Sequence, residues 1–303
     1  MQTNKRLTEA YKKAFPVPFD KDSKFVFFGD THRGDDSIAD EFGRNRPIYY
    51  HALNHYYQND FTYVELGDGD ELIEHRHFRH IYNAHVPTFR MLRKFFNAGR
   101  MLRIYGNHDN QLKNPEYVRS NLYQVPDDYL DESVPLFPGI EIHEALLFTN
   151  RETEQKLFIV HGHQGDPLND QFSFLPFFGI RVFWSLFHRL GMKYAATPAK
   201  SREKRHKVEK RYNKWKKDHG SIIICGHTHR PRFPKPGESS YFNVGCCIHP
   251  RGLSCLELTN NCLTLVLWRI HSQPDGTMFI KRTVVAGPEP IENFQLAPEQ
   301  AAE

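Results

Sequence analysis

Short apolar runs that stop at a glycine organise the first third of this chain. Phe25-Val26-Phe27-Phe28 ends in Gly29-Asp30, residues 61–66 end in Gly67-Asp68, and residues 101–105 end in Gly106-Asn107. Runs of this length between turn residues read as buried strands. The stretches between them carry helical spacing: residues 47–59, then residues 70–97 with a break at Pro87, where proline removes a helix hydrogen bond. Short strands alternating with helices predict an α/β domain. The second half is richer in strands. Residues 140–149 and Lys156–Val160 flank a polar turn, and Ile222–Cys225 is a further apolar run before a glycine. Residues 253–258, 263–270 and 278–285 are separated by Thr259-Asn260-Asn261 and Gln273-Pro274-Asp275-Gly276, turn residues that predict a β-meander.

Residues 1–24 read as a polar leader, residues 25–285 as the domain, and residues 286–303, rich in Pro, Glu and Ala, as a flexible tail. Segment 172–217 stands apart as an insertion. Its first part is aromatic and includes Phe183 and Trp184. Its second part, from Lys200, is basic, with Val208, Tyr212 and Trp215 at helical spacing. Pro176, Arg181, His188 and Arg189 interrupt the apolar part, so it is not a membrane span.

Composition changes this picture little. A chain of 303 residues with 39% hydrophobic and 25% charged residues is ordinary for a globular protein and long enough for a core without disulfides. A net charge of +4 creates no global field that demands nucleic acid. The five cysteines all lie in the C-terminal third, two of them adjacent, in neither a disulfide framework nor a CxxC zinc pattern. With an N-terminus lacking the apolar core of a secretory signal, the expected location is a reducing cytoplasm.

The 18 histidines matter because of where they fall. Metal-type residues gather at the ends of the predicted strands: Asp30-Thr31-His32, Gly67-Asp68, Gly106-Asn107-His108-Asp109, His161-Gly162-His163 and Gly226-His227-Thr228-His229. Open α/β sheets place ligands at the carboxyl ends of their strands. Asp30 and His32, two residues apart in an extended chain, would point to one side. Carboxylate and imidazole together suit divalent Mn, Fe or Zn. Asp68 can bridge two ions through its two oxygens, and Asn107 offers a neutral carbonyl oxygen. An isolated Asp-x-His or Gly-Asp is usually only a turn. Five such groups in order, each at a strand end, confirm one another as a metal site.

On these residues the chain resembles the calcineurin-like metallophosphoesterases, whose pattern runs D-x-H, G-D, G-N-H-D/E, H and G-H-x-H. Asn243-Val244-Gly245 is similar to the turn that follows the last motif in that family. The resemblance implies a four-layer αββα sandwich with a helical cap insertion and two divalent ions, with manganese expected and iron or zinc as alternatives. It implies that Asp30, His32, Asp68 and His229 hold one ion, that Asp68, Asn107, His161 and His227 hold the other, and that a metal-bridging hydroxide attacks in line. His108 would contact phosphate and assist the leaving oxygen, with Asp109 orienting His108. His161 and His163 compete for one position, and His161, nearer the strand end, is favoured. His163, Arg33, Arg230, Phe183 and Trp184 are the expected substrate contacts. Residues 67–71 lack the Gly-Asp-x-x-Asp-Arg-Gly signature of the protein Ser/Thr phosphatases, which weighs against that role.

The layout around 172–217, followed by Gly226-His227-Thr228-His229-Arg230-Pro231, is similar to that of the UDP-2,3-diacylglucosamine hydrolases, in which the insertion caps lipid acyl chains. That implies a lid whose aromatic residues meet acyl chains or a bilayer surface and whose basic residues meet anionic headgroups. An ordinary helical subdomain explains the pattern equally well. A nucleic-acid channel with Tyr212 and Trp215 as stacking platforms ranks lower. The expected function is a phosphoesterase acting on a lipid- or nucleotide-linked pyrophosphate or diester. The alternatives are a nuclease or nucleotide phosphodiesterase, a protein phosphatase, and a metal-binding scaffold without activity.

Overall fold

The computed structural model describes residues 2–75, 77–127, 131–164, 212, 214–215, 219–250 and 252–294. Two sheets face each other. One is ordered β1-β7-β8-β9-β10, built from Phe15–Phe19, Ala145–Asn150, Lys156–Val160, Ile222–Cys225 and Tyr241–Asn243. The other is ordered β13-β12-β11-β2-β3-β4, built from Met278–Pro290, Cys262–Ser272, Leu253–Thr259, Phe25–Phe28, Thr62–Leu66 and Met101–Ile104. β5 (Gln124–Asp127) and β6 (Glu132–Pro135) form a separate two-stranded ribbon.

The unbroken apolar runs have a direct explanation: both faces of these strands are buried. Phe25 and Phe27 point between the sheets with Val64, Leu66, Leu157, Ile159, Ile222 and Ile224. Val26 and Phe28 point outward, against α2 (Arg46–Gln58), α3 (Phe78–Ala84) and α4 (Val86–Asn97). On the opposite outer face Phe158, Val160 and Ile223 pack against Leu7 and Ala10 of α1 (Gln2–Lys12) and against Tyr212 and Trp215. The layers are therefore helix, sheet, sheet, helix, as expected. The three C-terminal strands form the expected antiparallel meander.

Several boundaries differ from expectation. Residues 1–24 are not a leader outside the fold, because α1 covers one sheet and β1 pairs with β7 in parallel. β1 escapes sequence reading because Phe-Pro-Val-Pro-Phe looks like a loop, while an edge strand tolerates proline. The C-terminal side of the fold extends past 285: β13 runs to Pro290, and Ile291 and Phe294 are buried between the sheets. In the expected 70–97 helix, residues 70–75 and 77 are loop, and Pro87 sits in the first turn of α4, where its missing N–H costs nothing. Most of segment 172–217, with Phe183 and Trp184, lies outside the described residues. Tyr212 and Trp215, within it, are core rather than stacking platforms, being 1% and 0% exposed. Trp215 donates its indole N–H to Thr8 Oγ1 at 2.9 Å. Among the described residues no helix is long and apolar enough to cross a membrane.

Candidate metal centre

β2, β3 and β4 run parallel in one sheet, and β8 and β9 run parallel in the other. Their carboxyl ends meet, and every expected ligand lies just beyond one of them. The loops lock together through backbone bonds. Asp30, His32 and Arg33 donate their N–H groups to the carbonyls of Gly67, Asp68 and Gly69. The Asp30 carboxylate accepts the His227 N–H at 2.8 Å, which ties the two sheets at the site. Asn243, of the Asn-x-Gly turn, donates to the Gly226 carbonyl at 2.5 Å and accepts from the Gly245 N–H at 2.9 Å.

The ligands do not sit on extended chain. Asp30, His32, Asp68, His227 and His229 all have positive φ, between 47° and 66°. Left-handed backbone is uncommon for these residues and concentrates at functional sites. The neighbouring glycines are required by close approach: a Cβ on Gly106 would overlap Asp68 Oδ1, and one on Gly226 would overlap Asp30 Oδ2.

Two donor sets result, Asp30–His32–His229 and Asp68–His161–His227, each with its donor atoms within 4.8 Å of one another. In the first, His229 Nε2 lies 3.1 Å from Asp30 Oδ1 and 3.2 Å from His32 Nε2. In the second, His161 Nε2 lies 3.1 Å from Asp68 Oδ2, and the same oxygen is 3.8 Å from His32 Nε2. Asp68 therefore reaches both sets, while its Oδ1 is held by the His108 N–H at 2.7 Å. His161 donates Nδ1–H to the Leu66 carbonyl at 2.7 Å, which turns its Nε2 lone pair toward the site. This orientation favours His161 over His163 as the ligand.

The site fits metal ions on its own chemistry. Asn107 Oδ1 and His227 Nε2 are buried and, among the described residues, have no hydrogen-bond partner. Unpaired acceptors of this kind are costly unless something binds them. Burial opposes the charge on Asp68, but His161 and His108 hold its carboxyl well below the usual range. Burial, with His161 beside it, pushes His227 down to about 3, so it is a neutral donor. Burial and His161 likewise hold His163 well below the ordinary histidine value.

His108 lies beside the donor sets with its side chain 34% exposed, and its partner is not Asp109. Glu71 accepts from His108 Nδ1 at 2.8 Å and from His32 Nδ1 at 2.9 Å, orienting both rings. Burial opposes charge on His108, yet Glu71 and Asp68 push it up to about 10. Asp109 is fully buried and instead accepts the backbone N–H groups of Asp68, Gly69 and Gly106. It cannot turn to His108 without abandoning the loop that carries Asp68.

Arg33, expected at the substrate, is fully buried. It makes a two-pronged bond to Glu65 and a third bond to Asp70. Arg103 pairs with Glu65, Asp70 and Asp109 from the other side. These five charges form a buried plate under the β3 and β4 loops. Arg230 is exposed next to His229. Sequence reading missed Glu71, Glu65 and Arg103. The available signals were three acids within four residues at 68–71, and single charges inside otherwise apolar strands, which must be paired.

A family model described as calcineurin-like phosphoesterase matches residues 23–231. No curated protein matches the chain. Among solved structures, Vps29 of Chaetomium thermophilum is similar at 10% identity, over 88% of this chain and 97% of its own, with a TM-score of 0.38. A cold-active protein-tyrosine phosphatase of a psychrophilic Shewanella is similar at 12% identity, over 89% of this chain and 83% of its own, also with a TM-score of 0.38. The family match spans more than half of the chain, including every expected ligand, and that family typically holds a binuclear metal centre. The chain belongs to the calcineurin-like phosphoesterase family and is a metal-dependent hydrolase of phosphate esters.

Proposed function

We propose that this enzyme hydrolyses a phosphodiester or pyrophosphate bond in a lipid- or nucleotide-linked substrate, in the cytoplasm or at a membrane surface, with manganese as the working ion and iron or zinc as alternatives. The observation that carries this reading is the pair of donor sets joined at Asp68, with Asn107 Oδ1 and His227 Nε2 unpaired beside them. Two ions bound by these residues would supply Lewis acidity toward the phosphate oxygens and a nucleophile at neutral pH.

The chain's own residues do the rest. Asp68 presents one oxygen between the two sets. Glu71 keeps His108 protonated with Nδ1 engaged, which leaves Nε2 to donate to the phosphate and the leaving oxygen. Asp109 and Arg103 hold the β3 and β4 loops so that these groups keep their spacing. The aromatic and basic composition of 172–217 supports a lipid-linked substrate and peripheral membrane contact. The burial of Tyr212 and Trp215 weighs against a nuclease channel stacked on them.

The test is hydrolysis of bis-p-nitrophenyl phosphate and p-nitrophenyl phosphate with added Mn, with Asp68→Ala and His108→Ala as controls. Turnover of the diester that both substitutions abolish is the expected result. No turnover with Mn, Fe, Zn, Co or Ni, in protein shown to hold two ions, would overturn the reading.

A further inference from the structure

We infer that His163 and Gln164 form a subsite for the non-scissile phosphoryl group of a pyrophosphate substrate, beside the second donor set. The inference rests on the proposed phosphoesterase chemistry and narrows its substrate class. Beyond β8 the chain turns through Gly162, whose φ is 121°, and delivers two polar side chains into the interior. His163 is 5% exposed and Gln164 is 1% exposed. Gln164 Oε1 accepts the Gly162 N–H at 3.1 Å, so the amide turns its Nε2 donors away from the backbone. Among the described residues that Nε2 has no hydrogen-bond partner, and neither has His163 Nδ1.

Buried side-chain donors are rarely left unpaired in a native fold, and two in consecutive residues beside a ligand point to something that binds them. The His163 ring lies 5.5 Å from the His161 ring and 6.5 Å from that of Tyr105. With its proton on Nδ1, His163 donates in company with Gln164. Hydrogen-bond donors beside a site that would hold two cations suit an anionic oxygen group. A scissile phosphate would already be served by His108 and by ions held in the two donor sets. The substrate group that can use further donors is one bonded directly to that phosphate, and a second phosphoryl meets this description.

The experiment compares methylenebisphosphonate with inorganic phosphate, titrated calorimetrically into the full chain loaded with Mn. It uses wild type, Gln164→Met, Gln164→Glu and His163→Phe, each checked for two bound ions and an intact thermal transition. In parallel, turnover of a dinucleotide pyrophosphate is compared with that of bis-p-nitrophenyl phosphate. The expected result is that the affinity ratio of bisphosphonate to phosphate falls about tenfold or more in the variants, as the loss of a hydrogen bond to a charged group implies. Gln164→Glu should show the largest fall, because it keeps the bond to Gly162 but repels the anion. The turnover ratio should fall in the same order. A proportional fall for both ligands, or an unchanged ratio, would overturn the subsite. If the wild type hydrolyses neither substrate, the enzymatic reading fails, and the binding ratio still decides the subsite.

Discussion

Glu71 offers the sharpest test of how this site works. Its two carboxylate oxygens serve two imidazoles, His32 Nδ1 at 2.9 Å and His108 Nδ1 at 2.8 Å. Glu71→Gln preserves the shape but leaves one carbonyl oxygen and one amide nitrogen, so both rings cannot keep an acceptor. Loss of a carboxylate behind a ligating or phosphate-facing histidine typically costs about 10–100-fold in metal affinity or activity. A drop of that size in kcat for bis-p-nitrophenyl phosphate is the expected result. The pH profile carries a second signature. Glu71 raises the folded pKa of His108 to about 10, so removing it lowers that value and His108 loses its proton at lower pH. The alkaline limb of kcat should therefore move toward neutrality. Metal content by elemental analysis separates loss of ions from loss of the proton donor. Unchanged kcat and an unmoved alkaline limb, in protein with two ions, would refute the assignment of Glu71 as the group that orients His108.

Three further predictions follow from the same geometry. Asp68→Asn should leave less than one tightly bound ion per chain and reduce kcat by at least about 10³-fold, since the shared charge contributes several kcal/mol; elemental analysis and diester hydrolysis check this. Arg103→Met should destabilise the fold by about 3–5 kcal/mol in denaturant titrations, because Glu65, Asp70 and Asp109 would be left as buried carboxylates short of a partner. Stability should also fall as the pH drops below about 6.5: burial lowers the folded pKa of His55 and His143, so the unfolded chain takes up protons first, and the contribution is complete above the unfolded value and lost on acidification. Thermal melts at pH 7.5 and 5.5 should show a smaller loss for His143→Phe, whose ring can keep the stack on Phe15.

The sequence by itself determined the strands that carry the site and which metal-type residues stand at their ends. An apolar run ending in glycine and a metal-type residue is a local signal, and it recurs at β2, β3, β4 and β9. Residues 30, 32, 68, 107, 161, 227 and 229 could be picked out because ligand chemistry restricts the residue type at each position. Tertiary structure decided what depends on neighbours distant in the chain. Glu71 rather than Asp109 supports His108, because the β4 turn aims the Asp109 carboxylate at backbone N–H groups. Arg33 follows a ligand directly yet faces the interior, where Glu65 and Asp70 from β3 and its loop neutralise it. β1 became a strand only because β7, far along the chain, offered an edge to pair with. Local pattern records which residues can do chemistry, whereas the partner that sets each one's charge and direction is brought to it by sheet packing.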